Sequence, residues 1–416
     1  MPCGVRSETG HSVWSVFHFS TNNHGRMLEE IPSFTRGSSR KSWNSAYLVV
    51  AYCHPDHGGS RQPLYSRISL RSWWTRWGGF LRSLEKSDRA GSVSSISKEN
   101  PLIHGLYRYM AFGLNIASDF LLPDFLPAID VSAEAEVSIS LGKVPSGISD
   151  AMEITDTYQV ARNEFLLRVH GVAKYYVTNG NCVVIEPDEQ SEERLVQLVL
   201  LGIPFGSLLL QRGVIAIHGS AVILDGHCVI FTGVCGAGKS TLSAAFRERG
   251  YPILTDDVAA LIVGDDGIPR VHPGCPHQKL MRDSAEAIGV DISCISPVFS
   301  GGHEDSFAVP AYEGFWQSPA VLDAIYEITA DGARDVRITR LSSIDKLTVL
   351  MNNTYQGGLV NGLGLTVEHF RHCLYIASRI AVSRLDRPEQ VFSIEDQMRL
   401  VKEDLSNLFP GSVFRY

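Results

Sequence analysis

Apolar and polar residues alternate over short stretches from residue 107 onward, and the period lengthens near residue 191. Residues 112–116, 136–141, 158–161, 164–169, 173–178 and 182–186 are rich in β-branched and aromatic side chains and are broken by Gly, Asn and Pro, which predicts short strands. Asn179-Gly180, set between apolar and aromatic runs, predicts a hairpin. Residues 191–211 read instead as one helix with an acidic first turn at Glu192 and Glu193. Gln197, Pro204, Gly206 and Ser207 interrupt its apolar body, which favours a core helix over a membrane span. Two apolar runs, 214–224 and 227–233, then flank Asp225-Gly226, a two-residue turn signal. Counting outward from that turn sets Leu224 opposite His227 and Val222 opposite Val229, and brings His218 level with Gly233.

Beyond this hairpin the pattern predicts a helix over 240–249 closed by Gly250, and then a strand over 251–255 ending in Asp256-Asp257. A right-handed crossover places that strand parallel to 228–232 and beside it. Further strands are predicted at 258–263, 324–329, 336–341 and 381–385, and helices at 343–355, 367–379 and 393–409, the last opened by the capping box S-I-E-D. Residues 272–279 read as a loop, and 297–319 as a flexible lid. The fold class is α/β: a small β-rich domain at 101–190, a core at 191–330 and an α/β part at 331–416 that completes it.

Charge separates off the first hundred residues. Of 37 Lys+Arg and 45 Asp+Glu, residues 1–100 hold 13 and 7, so a basic segment precedes an acidic remainder. That segment is serine-rich, carries five of the six tryptophans and keeps no helical or strand period, which predicts a disordered extension. Residues 71–84 alternate basic and aromatic side chains, and are read as part of that extension rather than as a membrane or nucleic-acid tail. The N-terminus lacks the basic segment, apolar core and cleavage site of a signal peptide. Eight cysteines without a C-x-x-C pair fit thiols of a reducing cytoplasm.

The candidate chemistry lies at 233–240, G-V-C-G-A-G-K-S, a full match to G-x-x-x-x-G-K-[ST] placed between a strand and a helix. Backbone N–H groups from Gly233, Gly236, Ala237 and Gly238 would cradle phosphate, Lys239 would add charge, and the Ser240 hydroxyl would ligate Mg²⁺, with Thr241 beside it. Cys235 is read as a small residue tolerated in this loop. Asp256 and Asp257 arrive at the same strand edge, and His218 lies beside the loop's mouth. His272 and His277 are five apart with no helix to align them, which argues against a metal pair. Lys279, Arg282 and Arg270 are candidates for phosphate or acidic-peptide contact, with solvated surface cations the preferred reading.

His218-Gly219, the loop, Asp256-Asp257, residues 109–116 (Y-M-A-F-G-L-N-I), the P-G-C-P of 273–276 and the N-N-T-Y of 352–355 together resemble the HPr kinase/phosphorylase C-terminal domain and, more distantly, the phosphoenolpyruvate carboxykinase core. From about residue 107 to the end, the chain most resembles the HPr-kinase-like serine kinases of lasso-peptide and related ribosomal-peptide clusters. The resemblance implies ATP and Mg²⁺ as cofactors and an acceptor serine on a precursor peptide or small protein. A cytoplasmic site of action is expected, with no nucleic-acid or membrane partner. In the implied mechanism Lys239 meets the phosphates, Ser240 and Asp257 hold Mg²⁺, Asp256 accepts the hydroxyl proton and His218 lines the site; sequence leaves the two aspartates interchangeable. Thr241, where HPr kinases carry an acidic residue, and the missing E-x-R-G-x-G element favour a one-way peptide kinase. An HPr-type protein kinase, a small-molecule kinase and a non-catalytic nucleotide-binding regulator remain alternatives.

Overall fold

The computed structural model describes residues 106–411, apart from 296, 298–305, 331–333 and 390, together with the strands Phe19–Thr21, Met27–Glu29, Tyr47–Tyr52, Leu64–Ser69 and Leu102–Ile103. The chain forms two units, Met1–Phe80 and Leu81–Tyr416. Within the first, where sequence shows no strand period, Phe19–Thr21 pairs antiparallel with Met27–Glu29 and Tyr47–Tyr52 with Leu64–Ser69. The basic-aromatic stretch 71–84 lies outside the described residues.

The second unit is mixed α/β and carries two large sheets. The first holds Glu153–Ile154, Tyr158–Ala161, Glu164–Val169, Ala173–Thr178, Cys182–Pro187, Val137–Leu141, Leu114–Ser118, Leu106–Ala111 and Leu102–Ile103 in that spatial order. Asn179 and Gly180 take positive φ and turn the chain between paired Thr178 and Cys182, as the Asn-Gly signal predicts. The expected strand 112–116 is displaced: Phe112-Gly113 is the turn joining Leu106–Ala111 to Leu114–Ser118.

Residues 191–211 are not one helix but two, Glu193–Leu201 and Ile203–Gln211, broken at Gly202 just before Pro204, which supplies no N–H to continue the first. By length and composition Glu193–Gln211 would suit a membrane, yet 61% of its apolar window is buried in the protein. It packs on the first sheet, where the Tyr175 hydroxyl donates to Val196 O at 2.9 Å.

The second sheet positions the site. Its two ten-residue strands, Ile215–Leu224 and Ala320–Thr329, each change partners along their length. Ile215–Leu224 pairs with Val258–Val263 over its first half and with His227–Thr232 over its second. Ala320–Thr329 starts against Pro269–His272, then runs parallel to both His227–Thr232 and Ala381–Asp386. Val258–Val263 pairs with Pro269–His272, so the ladder closes into a five-strand circuit. Helices Ser343–Asn352 and Thr366–Ala377 bury Leu347, Leu350, Cys373 and Ile376 on one face; Lys239–Glu248 and Ile394–Leu408 bury Leu242, Phe246, Met398, Val401 and Leu405 on the other. The spacing of Met398, Val401 and Leu405 is the apolar stripe of a half-buried helix.

Several sequence expectations are corrected. Ile253–Thr255 is oriented like His227–Thr232 but is not beside it: the hairpin partner Ile215–Leu224 already occupies that edge, and Ile253–Thr255 pairs with its far side. Part of the expected 272–279 loop is the strand His277–Met281, which pairs with Ser306–Pro310 from the expected lid. The capping box at 393–396 does not form; the Ser393 hydroxyl accepts from Gln397 Nε2 at 3.1 Å instead of meeting a backbone N–H. No disulfide joins the described cysteines.

Candidate active site

Three parallel strands, His227–Thr232, Ala320–Thr329 and Ala381–Asp386, end at one edge of the sheet. The glycine-rich loop leaves from this edge. Gly233, Gly236 and Gly238 have φ of 134°, 79° and 108°, and the helix Lys239–Glu248 begins directly behind them. A side chain at Gly233 would put its Cβ 2.4 Å from Ile328 O, because the loop crosses the end of the neighbouring strand at backbone contact. Lys239 is buried and donates through Nζ to Gly233 O at 3.0 Å and Val234 O at 3.1 Å. These carbonyls draw its ammonium into the loop, and an anionic oxygen would compete with them for it.

The hairpin register is the one counted from Asp225-Gly226: Leu224 faces His227, Val222 faces Val229, and the ladder ends at Gly219 and Thr232. The Thr232 hydroxyl donates to His218 O at 2.8 Å, so His218 stands at the loop's mouth. Its backbone N–H donates to Asn353 O at 2.7 Å, and the Tyr355 N–H donates to Ala216 O at 2.7 Å, which brings the N-N-T-Y segment against this strand. The other two resembling segments also meet, through the Phe112 N–H and Pro273 O at 2.6 Å.

The acidic pair divides its contacts. Asp257 Oδ1 lies 3.2 Å from His218 Nε2, and its backbone takes a left-handed φ of 66°. Asp256 accepts hydrogen bonds from the Ser220 hydroxyl and, at 2.8 Å, from the Lys279 N–H, and the Ser240 hydroxyl lies near enough to favour its charged form.

The two carboxyls titrate in opposite directions. Burial raises Asp256 above the usual carboxylate range, the neighbouring Asp257 charge adds to the rise, and the Ser220 hydrogen bond only partly offsets it. Burial also works to raise Asp257, but the His218 hydrogen bond and the charges of Lys279 and Lys239 outweigh it and hold that carboxyl well below the usual range. Burial, with the Lys239 charge, lowers His218 and keeps its imidazole neutral near pH 7.

Not every candidate converges. The Thr241 hydroxyl donates to Ser284 Oγ at 3.1 Å, which ties the loop helix to the helix Arg282–Ile288. Arg270 pairs with Asp266, and the Arg282 guanidinium lies 4.9 Å from the centre of the Phe307 ring. Lys279 does belong to the site, through its N–H on Asp256 and its charge on Asp257 and His218. Two participants were not singled out from sequence. Ser220 sits two residues beyond His218 on one strand, so the two-residue period was its signal. Arg387, just past Ala381–Asp386, donates to loop carbonyls and has no local motif to mark it.

The arrangement defines a mixed α/β protein whose glycine-rich loop, acidic pair and strand histidine share one edge of a sheet. No family model matches the chain, and no curated protein matches it. Among solved structures it is similar to the Hpr(Ser) kinase/phosphatase from Coxiella burnetii, at 13% identity and a TM-score of 0.25, over 46% of this chain and 97% of that one. A likeness of this degree assigns no residue role.

Proposed function

We propose that the chain is an ATP-dependent kinase that phosphorylates a serine hydroxyl on a ribosomally made precursor peptide or small protein. The observation that carries this reading is the placing of His218 and the acidic pair beside the glycine-rich loop: Asp257 Oδ1 lies 3.2 Å from His218 Nε2, Asp256 accepts from the Ser220 hydroxyl, and Thr232, at the loop's start, donates to His218 O. Phosphate-binding and proton-accepting groups then lie at one edge of the sheet, as phosphoryl transfer requires. The peptide acceptor rests on the sequence resemblance.

The donor set fits a nucleotide with a divalent cation. The Ser240 hydroxyl can offer a lone pair to a cation, and Asp257, ionised and 40% accessible, supplies the negative charge a hard cation prefers. Among the described residues no three His, Cys, Asp or Glu side chains gather into a metal site, so Mg²⁺ at Ser240 and Asp257 would complete its shell with phosphate oxygens and water. When bound, Mg·ATP supplies the phosphoryl group and masks its charge.

The protein's own residues do the rest. The N–H groups of the loop and the helix start orient the phosphates, and Lys239 exchanges its loop carbonyls for phosphate oxygens. Asp256, with its proton affinity raised by burial, takes the proton of the acceptor hydroxyl. His218 holds Asp257 in place.

Phosphate incorporation from ATP into a peptide ending in serine tests the reading. Asp256→Asn is expected to lower turnover by about 10²–10⁴-fold while ATP still binds, and Lys239→Ala is expected to lose ATP binding itself. Wild-type turnover by Asp256→Asn, or phosphorylation of a peptide without hydroxyls, would defeat it.

A further inference from the structure

Arg387 is the first residue after the strand Ala381–Asp386. Its backbone N–H donates to Thr329 O at 2.9 Å, so two neighbouring strand ends fix where its side chain leaves the sheet. The guanidinium then reaches the glycine-rich loop: Nε donates to Ala237 O at 2.8 Å and Nη2 to Gly236 O at 3.3 Å, while Nη1 donates to Pro388 O at 3.0 Å. A Cβ built on Gly238 would lie 3.6 Å from Arg387 Nε, so the loop runs flat against this side chain.

A trans peptide unit is planar, and its C=O and N–H point in opposite directions. Holding Ala237 O toward Arg387 therefore turns the Gly238 N–H away from that side chain, in line with the N–H groups of the first turn of Lys239–Glu248. The preceding unit is pinned at both ends, by Arg387 on Gly236 O and by the Ala237 N–H donating to Val234 O at 3.1 Å. With φ positive at Gly236 and Gly238, these peptide units have little intrinsic preference for one orientation. A rigid, two-pronged donor supplies it.

We infer that Arg387 is a positioning residue: it clamps the outer carbonyls of the glycine-rich loop so that the Gly238 amide faces the β- and γ-phosphates of a bound nucleoside triphosphate. The inference rests on the reading of this loop as a phosphate site. It separates two cations of the loop by task, since Lys239 is freed to meet phosphate whereas Arg387 remains on the carbonyls.

Titration calorimetry with ATP and with AMP, each in the presence of Mg²⁺, on the full chain and on Lys239→Ala, Arg387→Gln and Arg387→Lys, tests it beside thermal melting. Both Arg387 variants are expected to melt with the wild type and to lower the ratio of ATP to AMP affinity about tenfold, the scale of one lost charge-assisted hydrogen bond. Lysine keeps the charge but not the fork, so a clamp predicts that Arg387→Lys falls with Arg387→Gln. A wild-type ratio in Arg387→Lys makes the contribution one of charge and overturns the clamp. So does a wild-type ratio in both variants while Lys239→Ala loses ATP, a result that leaves the phosphate reading standing. If both variants unfold, the role is structural and the clamp is wrong. If the wild-type chain binds no ATP, the phosphate reading fails and the clamp fails with it.

Discussion

His369 is buried, 6% exposed, with Nε2 2.9 Å from Thr354 Oγ1 and 3.4 Å from Cys373 Sγ. Burial, with the neighbouring His372, depresses its imidazole from 6.5 to about 4. The unfolded chain therefore binds the proton first, and between those two values it holds more protons than the folded one. The stability His369 contributes is fully present above about pH 6.5 and is lost as pH falls toward 4, by about 3 kcal/mol in all. Urea unfolding at a series of pH values should show that slope, and His369→Gln should flatten it. His218, also lowered by burial, adds to the fall in the same direction. At this scale the sequence is most legible where chemistry is local. The loop, the acidic pair and His218 lie within one short stretch, and a turn count relates them. Ser220 and Arg387 are not legible that way, because a serine in a strand has many ordinary uses and Arg387 reaches the loop across 150 residues of chain.

Elements add constraints that single residues do not show. Gly233 and Gly236 both have positive φ, but only at Gly233 does a Cβ meet backbone, Ile328 O, whereas at Gly236 it meets open space. Gly233→Ala is therefore expected to cost about 1–3 kcal/mol and to displace the loop, and Gly236→Ala to cost less, the strain of its dihedral alone. Denaturant midpoints of the two variants check the order; equal losses would mean that the crossing at Ile328 is slack. Hairpin register was readable because Asp225-Gly226 fixes it, with φ of 49° and 94° at the two turn residues. The place of Ile253–Thr255 was not readable, since a crossover gives direction but not which edge is already taken. The break at Gly202 was signalled by Pro204, and the strand His277–Met281 was hidden because its partner, Ser306–Pro310, lies in a stretch that reads as loop.

The whole molecule divides at residue 80, and every residue of the candidate site belongs to Leu81–Tyr416. A chain beginning at Leu81 is expected to fold by itself, with a calorimetric midpoint equal to that of the corresponding transition in the full chain. A lowered midpoint would show that Met1–Phe80 supports the fold. Composition sets off the first hundred residues, a boundary about twenty residues beyond this division, and it gives no sheet order and no circuit.

The strand Ile215–Leu224 carries both His218 and Ser220 and is laced to partners along each edge. Sliding it by a single position would swing imidazole and hydroxyl away from their aspartates together. The placing of these two side chains is inherited from the framework, so a fault anywhere along that strand would reach both of them.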